Sequence, residues 1–433
     1  MTNKRKVCVV TLGCPKNVVD SEHLLVHLNN SHLELVNDVA LADTVIINTC
    51  GFIQDAKQES IDAILEATER KKEGKLRSVV VMGCLSERYR NELQTEIPEI
   101  DEIFGVNEFD RVLSAVGAKY RNELVGQRII TTPQHYAYLK ISEGCDHSCS
   151  FCAIPLIRGK HRSVPKEDLI LEAQNLAEQG VKELIVIAQD TTFYGIDLYG
   201  RREIASLLKE LNHIDGIQWV RLLYTYPSQF PYDLIDAFQH CEKLCHYIDI
   251  PIQHISDSVL RSMRRGISAR ATKELLYKLK EEIPDIAIRT TLIVGYPDET
   301  EDDFRQLYDF VEEMEFHRLG VFTYSQEEGT AAYELGDPIP EDVKMERLDA
   351  LMKLQQSISL RRNESLLDSN VRVLIDEVED DYAIGRTAWD APEIDQEVVV
   401  YSDKDIHVGS FITAHITAAA EYDLEAKLLQ EEV

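Results

Sequence analysis

Three apolar, β-branched runs in the first hundred residues each end on a cysteine. Val7–Gly13 runs into Cys14, Thr44–Thr49 into Cys50, and Ser78–Gly83 into Cys84. Between them, Ser21–Asn29 and Asp55–Lys72 carry helical spacing, the latter with Ile61, Ile64, Leu65 and Thr68 on one face. Strands alternating with helices predict a parallel, doubly wound sheet. In open α/β sheets, ligand sites lie just beyond the carboxyl ends of the strands. The pattern therefore expects Cys14, Cys50 and Cys84 at one sheet edge; burial at strand ends is the competing reading of the three.

After a connector of mixed character (106–135), a second α/β segment begins at Tyr136. Its strand candidates are Ala137–Ile141, Glu183–Gln189, Gln218–Tyr224, Tyr247–Ile252, Ile286–Val294 and Leu319–Tyr324. Helical patterns follow at about 165–180, 201–213, 231–240, 257–282, 300–315 and 341–367. A closed (β/α) barrel needs eight such units. Six predict an open, partial barrel.

The loop after the first of these strands reads Cys145-Asp146-His147-Ser148-Cys149-Ser150-Phe151-Cys152, a CxxxCxxC spacing. A structural zinc site or a closed iron–sulfur cluster wants four ligands. Three thiolates from one loop can hold a four-iron cluster with one iron left open. A zinc knob and plain buried thiols are the bland alternatives. Of the remaining cysteines, Cys8 lies inside a strand and reads as core. Cys241 and Cys245, spaced i, i+4, could bridge a metal on a helix, but no third ligand is obvious and packing is favoured. His147 takes no assigned role.

Residues 368–433 change character. Short β-type runs (Val371–Ile375, Val398–Tyr401, Phe411–Ile416) are separated by polar turns, which fits a small antiparallel barrel. The expected units are 1–120, 131–364 and 365–433. From Ser365 onward there are 17 Asp/Glu against 4 Lys/Arg, a net of −13, within a chain of net −30. So acidic a chain disfavours a phosphate backbone as partner and suits a basic one. No run of about 18 apolar residues occurs, so no membrane span is expected. The amino-terminal MTNKRKVCVVTLGC reads as a first strand rather than a signal peptide. With nine cysteines, a cytoplasmic chain would use them for metal or redox chemistry rather than disulfides.

The CxxxCxxC loop on the first strand of a six-unit barrel resembles the radical S-adenosylmethionine (SAM) superfamily. The resemblance implies that Cys145, Cys149 and Cys152 hold a 4Fe-4S cluster whose open iron is chelated by SAM. Reductive cleavage of SAM would then give a 5′-deoxyadenosyl radical that abstracts hydrogen from an unactivated carbon. Phe151 matches the aromatic expected near adenine. Thr291-Leu292-Ile293-Val294-Gly295 resembles the segment that meets adenine through backbone groups, so Ile293 and Gly295 join Phe151 as candidate SAM contacts. The resemblance names no side-chain acid or base.

With the dispersed triplet before it and the small β-barrel after it, the whole chain looks like the methylthiotransferase family. That implies a second 4Fe-4S cluster on Cys14, Cys50 and Cys84, its open iron holding sulfur, and a product with SCH₃ in place of a C–H hydrogen. Two branches compete, one modifying a tRNA adenosine, the other the β-carbon of an aspartate in small-subunit ribosomal protein twelve. Leu12-Gly13-Cys14-Pro15-Lys16-Asn17 matches the ribosomal-protein branch, where the tRNA branch favours Gln-Met after the cysteine. Cys145-Asp146-His147 and Phe151-Cys152-Ala153-Ile154-Pro155 lean the same way. In Tyr324–Thr330, Glu327 and Glu328 stand where the tRNA branch tends to carry an arginine; an ordinary solvated loop is the alternative reading. After Ser163 the basic residue often seen is missing. The terminal barrel resembles a TRAM domain, and its acidity favours a basic protein, free or within the ribosome, over tRNA. A third reading, from another class, is a non-catalytic iron–sulfur electron carrier or binding module. Electron donor and sulfur donor are not identified by the sequence.

Overall fold

The computed structural model describes residues 4–431; Met1–Asn3 of the amino-terminal run and Glu432–Val433 lie outside the described residues. The amino-terminal sheet holds five parallel strands in the order β2-β1-β3-β4-β5. These are β1 (Lys6–Thr11), β2 (Glu34–Leu35), β3 (Thr44–Thr49), β4 (Ser78–Gly83) and β5 (Glu102–Ile103). The three cysteine-ended strands are neighbours in register, so their carboxyl ends lie side by side. The first helix, Pro15–Asn29, starts six residues before the periodic apolar signal. Pro15 accounts for this: its fixed φ and missing N–H suit the first helical turn, directly after extended Cys14. In the helix Gln54–Lys72, Ile64 and Thr68 are buried, but Leu65 points to solvent with Ser60 and Ala67 taking the inner face.

The connector is not slack. Arg128 is buried and paired with Glu22 of the first helix (3.3 Å) and Glu172 of the central domain (3.0 Å). Beyond it, β6 (Tyr136–Lys140) is followed by a two-strand clip, β7 (Ser142–Glu143) with β8 (Arg162–Ser163). The open sheet continues with β9 (Glu183–Ile187), β10 (Trp219–Leu222), β11 (Leu244–Asp249), β12 (Ala287–Val294) and β13 (Arg318–Thr323). Its order is β13-β12-β11-β10-β9-β6, all parallel. Six units thus make the expected open barrel. The helical stretch 257–282 is two helices, Asp257–Ser262 and Ala269–Glu282, separated by a turn through Gly266. Cys241 caps one helix and Cys245 lies in β11, so they never share a helix face; both are packed in the core, as is Cys8.

The terminal barrel is closed by β14 (Asn370–Val378), β15 (Tyr382–Arg386), β16 (Glu397–Tyr401), β17 (Phe411–Ala419) and β18 (Asp423–Glu431). Its pairings are antiparallel except β16 with β18, which run parallel. The segment 387–396, between β15 and β16, enters the floor of the open barrel. There Arg221 donates to the carbonyl of Ala388 (2.8 Å), Tyr247 to Asp395 (2.7 Å) and Arg318 to Asp390 (2.9 Å). Ala391, Leu374 and Phe411 join Tyr136, Tyr138, Ile185 and Trp219 in one apolar cluster. The floor is sealed by charge as well as by apolar packing. Fully buried Glu183 accepts from Arg221 (2.7 Å) and Arg386 (2.8 Å), and Asp249 from Arg289 (3.0 Å).

Candidate active site

The CxxxCxxC loop is held at both ends. Gly144 sits at φ +76°, and a Cβ there would lie 2.2 Å from the Lys160 carbonyl oxygen, so only glycine lets the strands close. Cys145 N–H donates to the Gly159 carbonyl (3.1 Å), and Asp146 accepts from His161 N–H (3.0 Å). In the middle, Ser150 donates to the Ser262 and Met263 carbonyls and meets the Tyr296 hydroxyl at 2.9 Å. Burial pushes the Cys145 thiol up to about 12 and Cys152 up to about 11, with backbone N–H groups of His147 and Ile154 pulling the other way. Cys149 faces cation and hydroxyl: Arg265 Nη1 is 3.3 Å from its sulfur and Tyr226 Oη 3.4 Å.

His147, without a role in the sequence, is the top of a stack. Its ring lies 3.7 Å above Tyr226 at 9°, and the Arg265 guanidinium lies 4.3 Å from the same ring. Asp190, beyond the end of β9, orients His147 through Nε2 at 2.7 Å. The stack braces Cys149 from residues far along the chain, positions that a strand-end rule points to but no local motif marks.

The dispersed triplet closes at the other sheet's edge. A Cβ on Gly13 (φ +86°) would meet Cys50 Cβ at 2.5 Å and Sγ at 2.7 Å, which sets how near the first two cysteine loops come. Fully buried Asn17 ties their backbones, donating to the Leu12 carbonyl (2.8 Å) and the Thr49 carbonyl (3.1 Å). Ser60 holds Cys50 by exchanging hydrogen bonds with its N–H and carbonyl, both 2.9 Å. Burial pushes Cys84 up to about 12, opposed by Arg158.

Arg158 joins the two triplets. It ends the short helix Ile154–Arg158 that leaves the CxxxCxxC loop, yet its Nη2 lies 3.3 Å from Cys84 Sγ and also donates to Asn17. Its Nη1 donates to Asp20 and Glu143, each 2.9 Å. Lys140 binds the same two acids, and Gln189 donates to Glu143 at 2.7 Å. Burial would raise Glu143, but Lys140 and Arg158 hold its carboxyl down at about 2.

Phe151 and Ile293 pack together around Val259, Met263, Tyr296 and Tyr324. Gly295 is left-handed (φ +73°); its N–H is taken by Glu299 (2.7 Å), and the side chain that approaches it is Lys344. Glu327 is not a solvated acid. It is buried and accepts from Lys57 (2.7 Å) and Arg88 (2.8 Å), latching the central domain to the amino-terminal one. The sequence places all three far apart.

The donor type, three free thiols in each of two groups, is the one iron–sulfur clusters take. No three His, Cys, Asp or Glu among the described residues converge on a single-ion site. A four-iron cube asks for something wider, with each thiolate on a separate iron. Each triplet also has a guanidinium against one sulfur, which offsets the negative charge of metal-bound thiolates.

Residues 6–105 match the family described as Uncharacterized protein family UPF0004, 139–311 the Radical SAM superfamily, and 369–429 the TRAM domain. A protein of Chloroherpeton thalassium called ribosomal protein uS12 methylthiotransferase RimO is 49% identical, covering 99% of both chains. Proteins of the same name from Flavobacterium johnsoniae (50%, covering 97% of both) and Aquifex aeolicus (48%, covering 98% of this chain and 97% of that one) are similar too. Among solved structures, the radical SAM methyltransferase TsrM of Kitasatospora setae shares the fold, with TM-score 0.55 and 14% identity over 74% of this chain and 75% of that one. Sustained along almost the entire sequence, the likeness is to one set of proteins throughout: this chain belongs to the ribosomal protein uS12 methylthiotransferase RimO family.

Proposed function

We propose that this chain is a radical-SAM methylthiotransferase that places SCH₃ on the β-carbon of an aspartate of ribosomal protein uS12. Cys145, Cys149 and Cys152 would hold the SAM-binding 4Fe-4S cluster; Cys14, Cys50 and Cys84 the second. When bound, the clusters would supply one-electron cleavage of SAM and the sulfur, and SAM the methyl group. The protein's part is placement. Arg265 and Arg158 set positive charge beside Cys149 and Cys84, and Phe151 with Ile293 offers an apolar wall for adenine. The connector, Glu327 and the 387–396 segment fix the units, read as 1–120, 131–364 and 365–433.

The observation that carries this reading is Arg158. One buried guanidinium, rooted six residues after Cys152, touches Cys84 of the other triplet. A side chain rooted just after one triplet that touches the other keeps the two sites close together, as a radical and a sulfur donor acting on one carbon require. An electron carrier needs no open barrel of six strand–helix units around its clusters. The acidic surface suits a basic ribosomal protein met in the cytoplasm, free or on the ribosome, and no described helix is long and apolar enough to cross a membrane.

The test is anaerobic. Reconstituted, reduced enzyme with SAM and a sulfide source is given uS12 or tRNA. Methylthiolated uS12 by mass spectrometry is expected, with 5′-deoxyadenosine. Modification of tRNA alone would replace this reading with the adenosine branch. No 5′-deoxyadenosine would leave an electron carrier. Iron content should fall by about half in a Cys14/Cys50/Cys84→Ala variant.

A further inference from the structure

Lys16 is buried with 8% of its surface exposed, two residues after Cys14. Its ammonium lies 3.0 Å from the centroid of the Tyr224 ring. Among the described residues no carboxylate pairs with it and no acceptor takes its hydrogens. The acids on the elements that carry the two triplets and the Tyr224 ring are already committed. Asp20 serves Lys140 and Arg158, and Glu143 serves the same two with Gln189. Asp190 serves His147 and Thr192, and Asp249 serves Arg289 and the Tyr224 N–H. The Lys16 nitrogen is not among the solvent-sealed polar atoms that lack a partner; it keeps an open side, and a ring face meets its charge without taking its N–H donors. The arrangement leaves one surplus cation in the seam between the two cysteine triplets.

Its platform is rigid. Tyr224 follows β10 at the carboxyl edge of the open barrel, in the left-handed region at φ +58°. Its N–H is held by Asp249 (3.0 Å), and its carbonyl accepts from Thr191 N–H (3.0 Å) and Oγ1 (3.2 Å). A strained backbone fixed on both sides aims the ring at Lys16, which arrives from the other domain.

We propose that Lys16 binds the side-chain carboxylate of the substrate aspartate, with Tyr224 as the surface on which the ammonium is presented. This rests on the aspartate reading above. A carboxylate anchored there leaves its neighbouring β-carbon as the atom held between the triplets. The Pro-Lys after Cys14, which the sequence offers only as a branch marker, becomes the feature that reads an acidic target. A neutral target such as a purine would leave this ammonium unpaired, which makes Lys16 a determinant of specificity as well as of position.

The test compares uS12 carrying its target aspartate with uS12 in which that residue is asparagine. Binding to the anaerobically reconstituted enzyme with SAM is read by fluorescence anisotropy. Wild-type enzyme should prefer the aspartate form by about 10–100-fold, the range of a hydrogen bond to a charged group. Lys16→Met should reduce that preference to below about 3-fold, and Lys16→Arg should restore part of it. The wild-type comparison needs no enzyme variant, and equal iron content controls the folding of the variants. Equal binding of the two substrates by wild-type enzyme overturns the proposal. So does a Lys16→Met enzyme that keeps the wild-type preference, whatever happens to its SAM affinity or cluster EPR spectrum; the ammonium then serves SAM or the second cluster. If wild-type enzyme binds uS12 but leaves it unmodified, the functional reading fails and the carboxylate assignment falls with it.

Discussion

Replacing Glu183 by glutamine should loosen the terminal barrel from the central one. Glu183 is fully buried at the start of β9, with one oxygen on Arg221 Nε (2.7 Å) and the other on Arg386 Nη1 (2.8 Å). Burial would raise its pKa, but the two guanidiniums hold it below the usual carboxylate range. Removing one member of a buried ionic cluster costs about 3–5 kcal/mol, because the partners keep their desolvation cost. Glutamine still offers one acceptor and Arg386 keeps Asp376 at 2.7 Å, so about 3 kcal/mol is expected, and nearer 5 for Glu183→Ala. At a denaturant slope of about 3 kcal/mol per molar urea, the midpoint falls by about 1 M. The assay is built in. The chain has two tryptophans; Trp219 stacks edge-on against Phe411 of β17 at 4.8 Å, and Trp389 lies in the inserted segment. Intrinsic fluorescence therefore follows this interface. A Glu183→Gln midpoint within about 0.2 M of wild type would refute the reasoning, as would loss of structure elsewhere before tryptophan emission shifts. An apolar double replacement of Glu183 and Arg221, which leaves Arg386 on Asp376, should recover much of the loss, since the cost lies in unpaired charge.

Glu327→Gln should weaken the latch on Lys57 and Arg88 by about 2–3 kcal/mol. Faster hydrogen exchange in Gln54–Lys72 and the 324–330 loop would register it; exchange unchanged in both would count against a latch. Arg158→Met removes a positive charge 3.3 Å from Cys84, so the second cluster's reduction potential should fall in an EPR-monitored titration, and an unmoved potential would contradict the placement. Burial lowers His254 to about 4. Because its folded value lies below the unfolded 6.5, this contribution is complete above pH 6.5 and lost as pH falls toward 4. It is worth about 3 kcal/mol over that window. His254→Gln should flatten that part of the stability–pH curve, and an unchanged slope would place the titration elsewhere.

The repeating parts of this fold were legible because periodicity is local. Strand ends at Cys14, Cys50 and Cys84 could be read from runs of a few residues, as could six strand–helix units and a three-thiolate loop. The terminal barrel was read through three of its strands; β15 and β18, short of apolar contrast, take their place only through pairing. What joins the units was not legible. Arg158 to Cys84, Lys16 to Tyr224, Arg265 to Cys149 and Glu327 to Arg88 are contacts between residues far apart in sequence, and no spacing rule encodes them. Glu327 shows the error most plainly. An acid in a polar loop reads as solvated until the cations of another domain are seen around it. Leu65 shows a smaller version: Ile61, Ile64 and Thr68 do face the core, but a helical face chosen by hydrophobicity alone put Leu65 inward in place of Ser60 and Ala67.

The segment that stops the barrel floor comes late in the chain. A ribosome adding about 5–20 residues per second completes β13 several seconds before 387–396 has been made. During that interval the barrel stands open below, with its interior in contact with water. A floor lined only by leucine and valine would then be an adhesive surface, inviting other nascent chains. Glu183, Arg221, Arg289 and Arg318 make it a hydrated one, which exchanges water for Arg386, the Ala388 carbonyl, Asp395 and Asp390 when they arrive. The buried ion pairs so understood are a provision for the order of synthesis, protecting the half-made molecule as much as they hold the finished one.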